Sequence, residues 1–276
     1  MDLLQTDSHA HVIDPLRFPY VAAGGYIPKQ HETGEAAAFR TVLQKHGISQ
    51  GLLVQPSCYG FDNSAMLSAI ANEPAKLRGI AVVEPTISER DVQDLKIRGV
   101  VGVRLNVGSF DPHFFERPEA DTFLNKAASF GWFVQIYAQA AAWQTFGATL
   151  LKSDARIIID HMGHPKVSAG TAQPGFEIVR RIGRETNAVV KLSAAFRVSQ
   201  QPYPHADVDP YVALLLESFG VDRCIWGSDW PFINTPLSVR YDEQLACFER
   251  WVTSPQDRDR ILSRNPARLF GFGGRA

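Results

Sequence analysis

Cysteine is scarce: Cys58, Cys224 and Cys247 are the only three in 276 residues, an odd number without CxxC spacing. That excludes a disulfide scaffold and a cysteine-built zinc knuckle, and it points to a reduced, cytosolic protein whose thiols serve as packing. An excess of either charge is missing too. Lys and Arg number 28 against 29 Asp and Glu, a formal net charge of -1, so nothing favours a nucleic-acid partner. No apolar run approaches the ~18 residues of a membrane span, and the first residues lack the basic and apolar regions of a signal peptide. No GxGxxG follows the first strand, which argues against a dinucleotide-binding open sheet, and no GxSxG surrounds Ser57, which argues against a serine hydrolase.

What is present is alternation. After the start at Leu3 and Leu4, short apolar runs lie at residues 51–55, 79–83, 100–104, 132–137, 156–160, 189–193 and 223–227. Helical patterns fall between them: residues 35–45; 63–71, with Asn63 as N-cap; a capping box opening at Ser88; 120–130; 140–152; 176–185; and 209–219, with Asp209 as cap and Pro210 in the first turn. A further helical region starts at Asp242. Eight strands alternating with helices, in a chain near the ~250 residues typical of the fold, predict one closed (β/α)8 barrel domain spanning residues 1–276. Residues 12–34 carry too many Pro and Gly for either period; they read as a long loop, with Tyr20 and Tyr26, that shapes a pocket.

In such barrels chemistry sits at the C-terminal ends of the strands. The first strand ends in Asp7-Ser8-His9-Ala10-His11. Residues two apart on a strand share a face, so His9 and His11 project side by side, a geometry for gripping a metal ion or a substrate oxygen. The eighth strand ends in Ser228-Asp229-Trp230-Pro231 and is the first strand's neighbour once the barrel closes, which places Asp229 beside both imidazoles. His161, after the sixth strand, faces them across the mouth. Ser57, Arg104, Asn106, Gln135 or Tyr137, and Ser193 with Arg197 mark the other strand ends, and His164 reads as an ordinary loop histidine. Each has a plainer reading: Asp229 as a cap, Arg104 in a surface ion pair, Tyr137 as half-buried packing, Ser57 as a turn residue.

The segments DSHAHV, VQPS, GVRLN, IDHMGHP, KLSAAFR and WGSDWP together resemble the amidohydrolase superfamily. More narrowly, they are similar to its 2-pyrone-4,6-dicarboxylate lactonase group, which also holds sugar lactonases and a sulfomuconolactone hydrolase. The likeness runs from Asp7 to about Phe272. It implies Asp229 as general base on the hydrolytic water, and His9, His11 and His161 as groups that polarise the lactone carbonyl or bind a metal where one is present. It assigns Ser57, Arg104, Tyr137 and Arg197 to holding the substrate and its carboxylates.

Departures from the group narrow this. The carboxylated lysine and strand-5 histidine of binuclear members are replaced by Arg104 and Tyr137, so a binuclear centre is excluded. No basic residue follows within residues 106–111, and Phe232 stands where a histidine is usual, which argues against the pyrone dicarboxylate itself as substrate. The expectation is hydrolysis of a small carboxylated lactone with no metal required. The alternative is a mononuclear zinc-dependent decarboxylase with one Zn held by His9, His11, His161 and Asp229. A third reading, a non-catalytic binding protein, would tolerate Asp229→Asn. The partner is a small-molecule substrate, without nucleic acid or membrane, and a homo-oligomer stays open.

Overall fold

A strand made largely of polar residues opens the barrel. In the computed structural model, which describes residues 3–21, 25–107, 113–236 and 238–273, β1 is Thr6–Ala10 and every residue of it is buried. Leu3 and Leu4, which the apolar pattern marks as the strand's start, are 46% and 49% exposed. The polar residues go inside because each finds partners there. Thr6 Oγ1 donates to Gln50 Oε1 at 3.1 Å. Asp7 accepts from the His9 and Ser228 amides, the Ser228 hydroxyl and the Tyr241 hydroxyl at 2.6–3.1 Å. Burial without such bonds would cost several kcal/mol per group.

The remaining strands are β2 (Gln50–Val54), β3 (Leu77–Ala81), β4 (Val100–Asn106), β5 (Phe133–Tyr137), β6 (Arg156–Ile159), β7 (Val189–Ser193) and β8 (Cys224–Gly227). They pair in parallel in the order β1 to β8, which only helical crossovers allow. The seam closes just beyond β8: the Asp229 amide donates to the His9 carbonyl and the His11 amide to the Trp230 carbonyl, both at 2.8 Å. The expected (β/α)8 barrel is therefore present.

The helices are α1 (Ala36–Lys45), α2 (Ser64–Asn72), α3 (Glu89–Ile97), α4 (Glu119–Ser129), α5 (Trp143–Lys152), α6 (Pro174–Glu185), the short α7 (Ala195–Val198), α8 (Asp209–Phe219) and α9 (Tyr241–Trp251). Ser88 caps α3 through the Asp91 amide. Two expected caps do other work. Asp209 lies inside the first turn of α8, and its carboxylate binds Arg250 and the Trp251 indole N–H. Asn63 precedes α2 without capping it: its amide donates to the Phe61 and Val82 carbonyls and accepts from the Val82 amide, at 2.9–3.1 Å. It thereby stitches the loop after β2 to the end of β3. Asn63→Ala orphans the Val82 amide and carbonyl in a buried place, so we expect a loss of about 3 kcal/mol in urea unfolding.

The barrel interior is layered. Leu52, Val54, Ile80, Phe133, Ile158, Val189 and Ile225 form an apolar floor, closed from below by Leu269, Phe270 and Phe272. Counting upward by two along the strands reaches Gln135 and Tyr137 on β5, Asp160 after β6, Lys191 and Ser193 on β7, and Gly227 and Asp229 at the seam. A second and larger apolar core lies between sheet and helices. No helix among the described residues is long and apolar enough to cross a membrane.

Candidate active site

Asp229 is the centre toward which the imidazoles point. Its Oδ1 lies 3.6 Å from His9 Nε2, 3.4 Å from His11 Nε2 and 3.7 Å from His161 Nε2. Two backbone features aim these groups. The seam fixes β1 against the chain after β8, and His161 and Asp229 both take positive φ, +43° and +66°. Such backbone costs free energy in a non-glycine residue and persists only where surroundings impose it. The HxH pair behaves as its period predicts, with ring centroids 5.0 Å apart in an edge-to-face arrangement.

The electrostatics keep the carboxylate charged and the His9 and His161 imidazoles neutral. Burial alone would raise the Asp229 pKa, but the Arg197 guanidinium on its Oδ2 and the surrounding imidazoles outweigh that and hold it well below the usual carboxylate value. Burial drives His9 well below its ordinary range, with Lys191 adding to the effect. His161 falls to about 4 through burial, partly offset by Asp160 and Asp229.

The second ring nitrogens are anchored as well. His11 Nδ1 donates to the Val54 carbonyl at 2.7 Å, which leaves its Nε2 facing the site. His161 Nδ1 pairs with Ser193 Oγ at 2.9 Å.

Ser57, Arg104, Tyr137, His161, Arg197 and His11 line one cleft of about 110 Å³ with Asp229 as part of its wall. Tyr26 from the long loop also reaches it, together with Asn106, Ile233 and Asn234. His9 is completely buried, and of the HxH pair only His11 lines the cleft. The long loop is held at its ends by the Ile13–Gly34 bridge. Glu32 ties it to the seam by accepting from the Tyr26 hydroxyl and the Asn234 amide. Tyr20 packs on Tyr59 instead of lining the cleft. Residues 22–24 of this loop, and residues 108–112 after β4, lie outside the described residues.

The two arginines are less free than a pair of carboxylate clamps. Arg197 binds Asp229 through Nε and the Ile233 carbonyl through Nη2. Arg104 binds Asp160 Oδ2 through Nη2 at 3.0 Å and lies over the Tyr137 ring. Its Nε, and the Oδ1 of Asn106 two residues on, are buried without a protein partner. Phe232, at the position where the resemblance leads one to expect histidine, packs edge-to-face on Phe196.

In the layer below, sequence reasoning marked Gln135 as a strand-end residue but passed over Asp160 and Lys191. Asp160, Gln135 and Lys191 are fully buried and joined through Gln135, whose amide donates to Asp160 and accepts from Lys191. A lysine inside the run Val189-Val-Lys-Leu-Ser193 was the available signal, since an unpaired charge does not enter a barrel strand.

The donor atoms are compatible with a metal ion by distance. His9, His11 and Asp229 form one cluster of potential ligands, and His9, Asp160 and His161 another. Tetrahedral zinc with Zn–N bonds of about 2.0–2.1 Å holds its ligand atoms about 3.4 Å apart, close to the 3.4–3.7 Å between the imidazoles and Asp229.

Comparison with known proteins agrees with this geometry. Residues 6–272 match the family model described as amidohydrolase. The chain is 31% identical to 4-sulfomuconolactone hydrolase of Rhizobium radiobacter, over 96% of this chain and 89% of that protein. It is 30% identical to 2-pyrone-4,6-dicarboxylate hydrolase of Comamonas testosteroni, with the same coverages. Among solved structures, a probable 2-pyrone-4,6-dicarboxylic acid hydrolase of Acinetobacter baumannii superposes with a TM-score of 0.86 at 27% identity, covering 99% of this chain and 100% of that one. With the barrel, the seam aspartate and the imidazole cluster in place, the chain belongs to the amidohydrolase family.

Proposed function

We propose that this protein hydrolyses a small lactone carrying at least one carboxylate, with Asp229 as the general base. The observation that carries the reading is a buried carboxylate, held ionised, facing the three imidazoles of His9, His11 and His161 at the wall of a small cationic cleft. A water between Asp229 and the lactone carbonyl gives its proton to Asp229 as its oxygen attacks. The oxyanion that forms needs donors already in place, each contributing a few kcal/mol. His161 and Tyr137 stand at that wall as candidate donors, while His11 has spent its Nδ1–H on the Val54 carbonyl. When the ring opens, the alkoxide leaves and takes back the proton held by Asp229, so the cycle closes without a second base. Were a metal bound, His9, His11, His161 and Asp229 would hold it, and it would polarise the carbonyl and acidify the water.

The charges that touch the cleft suggest the substrate's own: Arg104 and Arg197 line it against the single carboxylate of Asp229. One substrate carboxylate balances them, with Arg104 Nε as the unsatisfied donor awaiting it, while the unpartnered Asn106 Oδ1 can only accept, from a hydroxyl or a water. The named relatives act on lactones bearing acidic groups, and the Acinetobacter protein was solved with citric acid bound.

The test is initial hydrolysis rate across monocyclic lactones with zero, one and two acidic groups, on chelator-treated protein before and after added Zn²⁺. We expect turnover without metal and a preference for a single acidic group. No ring opening in either state, with CO2 released from a carboxylated substrate, would replace this reading with the decarboxylase. The pH profile is a second check. A base with a depressed pKa is lost only as pH falls through that depressed value, so kcat/KM stays flat from pH 7 down to about pH 5. An acid limb centred near a histidine pKa would assign the base to an imidazole.

A further inference from the structure

We propose that Glu32 is a positioning residue for substrate choice. It holds the Tyr26 hydroxyl as a hydrogen-bond acceptor toward the cleft, which selects a lactone with its carboxylate on the Arg104 side and a hydroxyl on the opposite side, a refinement that rests on the lactonase reading of the cleft.

Strand order divides the cleft into two sides. In a ring closed from β1 to β8, β4 and β5 lie across from β8 and β1. Arg104 and Asn106 lie at the end of β4, and Tyr137 ends β5. Tyr26 and Asn234, on the loops after β1 and β8, line the other side of the same cleft. Arg104 is a cation with an unpartnered Nε–H, so a substrate carboxylate goes to the β4 side.

On the opposite side the hydrogens are fixed by Glu32, a buried residue that does not itself line the cleft. The Lys29 amide donates to its Oε2 at 2.7 Å and the Asn234 amide to its Oε1 at 2.8 Å. A backbone amide can only donate, so each carboxylate oxygen is committed as an acceptor. Such bonds favour the charged form. Burial alone would raise the Glu32 pKa, and the bonds from Lys29, Tyr26 and Asn234 outweigh it and lower it. Tyr26, 2.6 Å from Oε2, therefore gives its hydroxyl hydrogen to Glu32. The same bond is the main reason the phenol is pushed up to about 12. Only lone pairs remain on the phenol oxygen.

A phenol whose hydrogen is committed accepts from a substrate hydroxyl and has nothing to donate to a carboxylate. Behind it stands the Glu32 charge, whose hydrogen bonds come from uncharged donors. A second substrate carboxylate on this side would meet lone pairs and a like charge. The side chains of Ser57 and Asn234, also in the cleft, can turn to donate or to accept. The fixed phenol is therefore the group that discriminates.

The test is binding of three five-carbon acids that differ only at the far end: valerate with a methyl, 5-hydroxyvalerate with a hydroxyl and glutarate with a second carboxylate. None has a ring to open, so amide-shift titration of the protein reads the cleft whether or not Asp229 opens a lactone. We expect 5-hydroxyvalerate to bind at least fivefold more tightly than either of the others, the worth of about one hydrogen bond. Tyr26→Phe should bring it within twofold of valerate. Glu32→Gln would still offer Tyr26 an acceptor, so Glu32→Met is the informative change. It frees the phenol hydrogen, and glutarate should gain at least fivefold on 5-hydroxyvalerate relative to wild type. A loop that is merely damaged would weaken all three acids alike, and that result overturns the proposal. So does wild-type binding of glutarate as tight as that of 5-hydroxyvalerate, or failure of all three to bind. Lactone hydrolysis by the wild type beside any of those results would leave the function standing and remove only the role of Glu32.

Discussion

Asp229→Asn is expected to lower kcat for lactone hydrolysis by about 10²–10⁴-fold, the range for loss of a positioned general base, while the fold survives. Asparagine keeps the shape, and its amide oxygen still accepts from Arg197, whose side chain is partly open to solvent at 16%. The buried negative charge disappears, and with it the burial penalty that opposes ionisation at this position. Thermal unfolding should therefore move by only a few degrees, because a lost ion pair and a relieved desolvation penalty act in opposite directions. KM should change less than kcat, since the carboxylate is bound to Arg197 and faces the imidazoles, and it carries the charge of a base and not that of a substrate clamp. Steady-state kinetics on whichever lactone the wild type turns over, paired with a melting curve, decides the matter. Activity within tenfold of wild type in a folded variant would transfer the base role to another group. Loss of activity together with loss of fold would say that Asp229 is primarily a seam residue.

The barrel and the meeting of Asp229 with His9 and His11 were legible because both follow from simple periods. Strand–helix alternation counts to eight, and a closed barrel makes its first and last strands neighbours. What the pattern could not show lies where tertiary partners override local preference. The apolar pair Leu3 and Leu4 is half exposed while Thr6–Ala10 is buried, because Ser228 and Tyr241, more than 200 residues away in sequence, satisfy Asp7. Asn63 and Asp209 have the composition of helix caps, yet each is recruited by a more distant partner. Gln135 and Tyr137 were indistinguishable from sequence; both face inward, one layer apart, with only Tyr137 in the cleft. Lys191 was absorbed into an apolar run, since a single charge within Val189–Ser193 does not alter its strand pattern. The positive φ values at His161 and Asp229 carry only a weak residue-type signal, since Asp and His tolerate that backbone better than most residues but seldom adopt it.

Gly227→Ala tests the seam that makes the site, and its expected cost is large in both stability and rate. An alanine Cβ there would sit 2.5 Å from the backbone nitrogen and Cβ of His9, closer than real contacts allow. Neither side has room to yield cheaply. The next residues on both strands are locked by Asp229 N–H to His9 carbonyl and His11 N–H to Trp230 carbonyl, each at 2.8 Å. Backbone must move, so the penalty should reach the upper end of the overpacking range, about 3 kcal/mol. Any widening of the seam also separates Asp229 from His9 and His11, and a misplacement of about 1 Å can cost about 10²-fold in rate. Gly271→Ala supplies the control. Gly271 is left-handed at φ +70° and ψ +32°, with nothing within 4 Å of the added Cβ, so it carries only the left-handed backbone cost of about 1–2 kcal/mol and should keep wild-type kinetics. Comparing kcat and unfolding midpoints of the two variants separates general fragility from the seam itself. If Gly227→Ala retains wild-type kcat, the spacing between Asp229 and the first strand is not what sets the chemistry. If only Gly227→Ala loses rate, the closure of the barrel and the assembly of its catalytic group are one structural event.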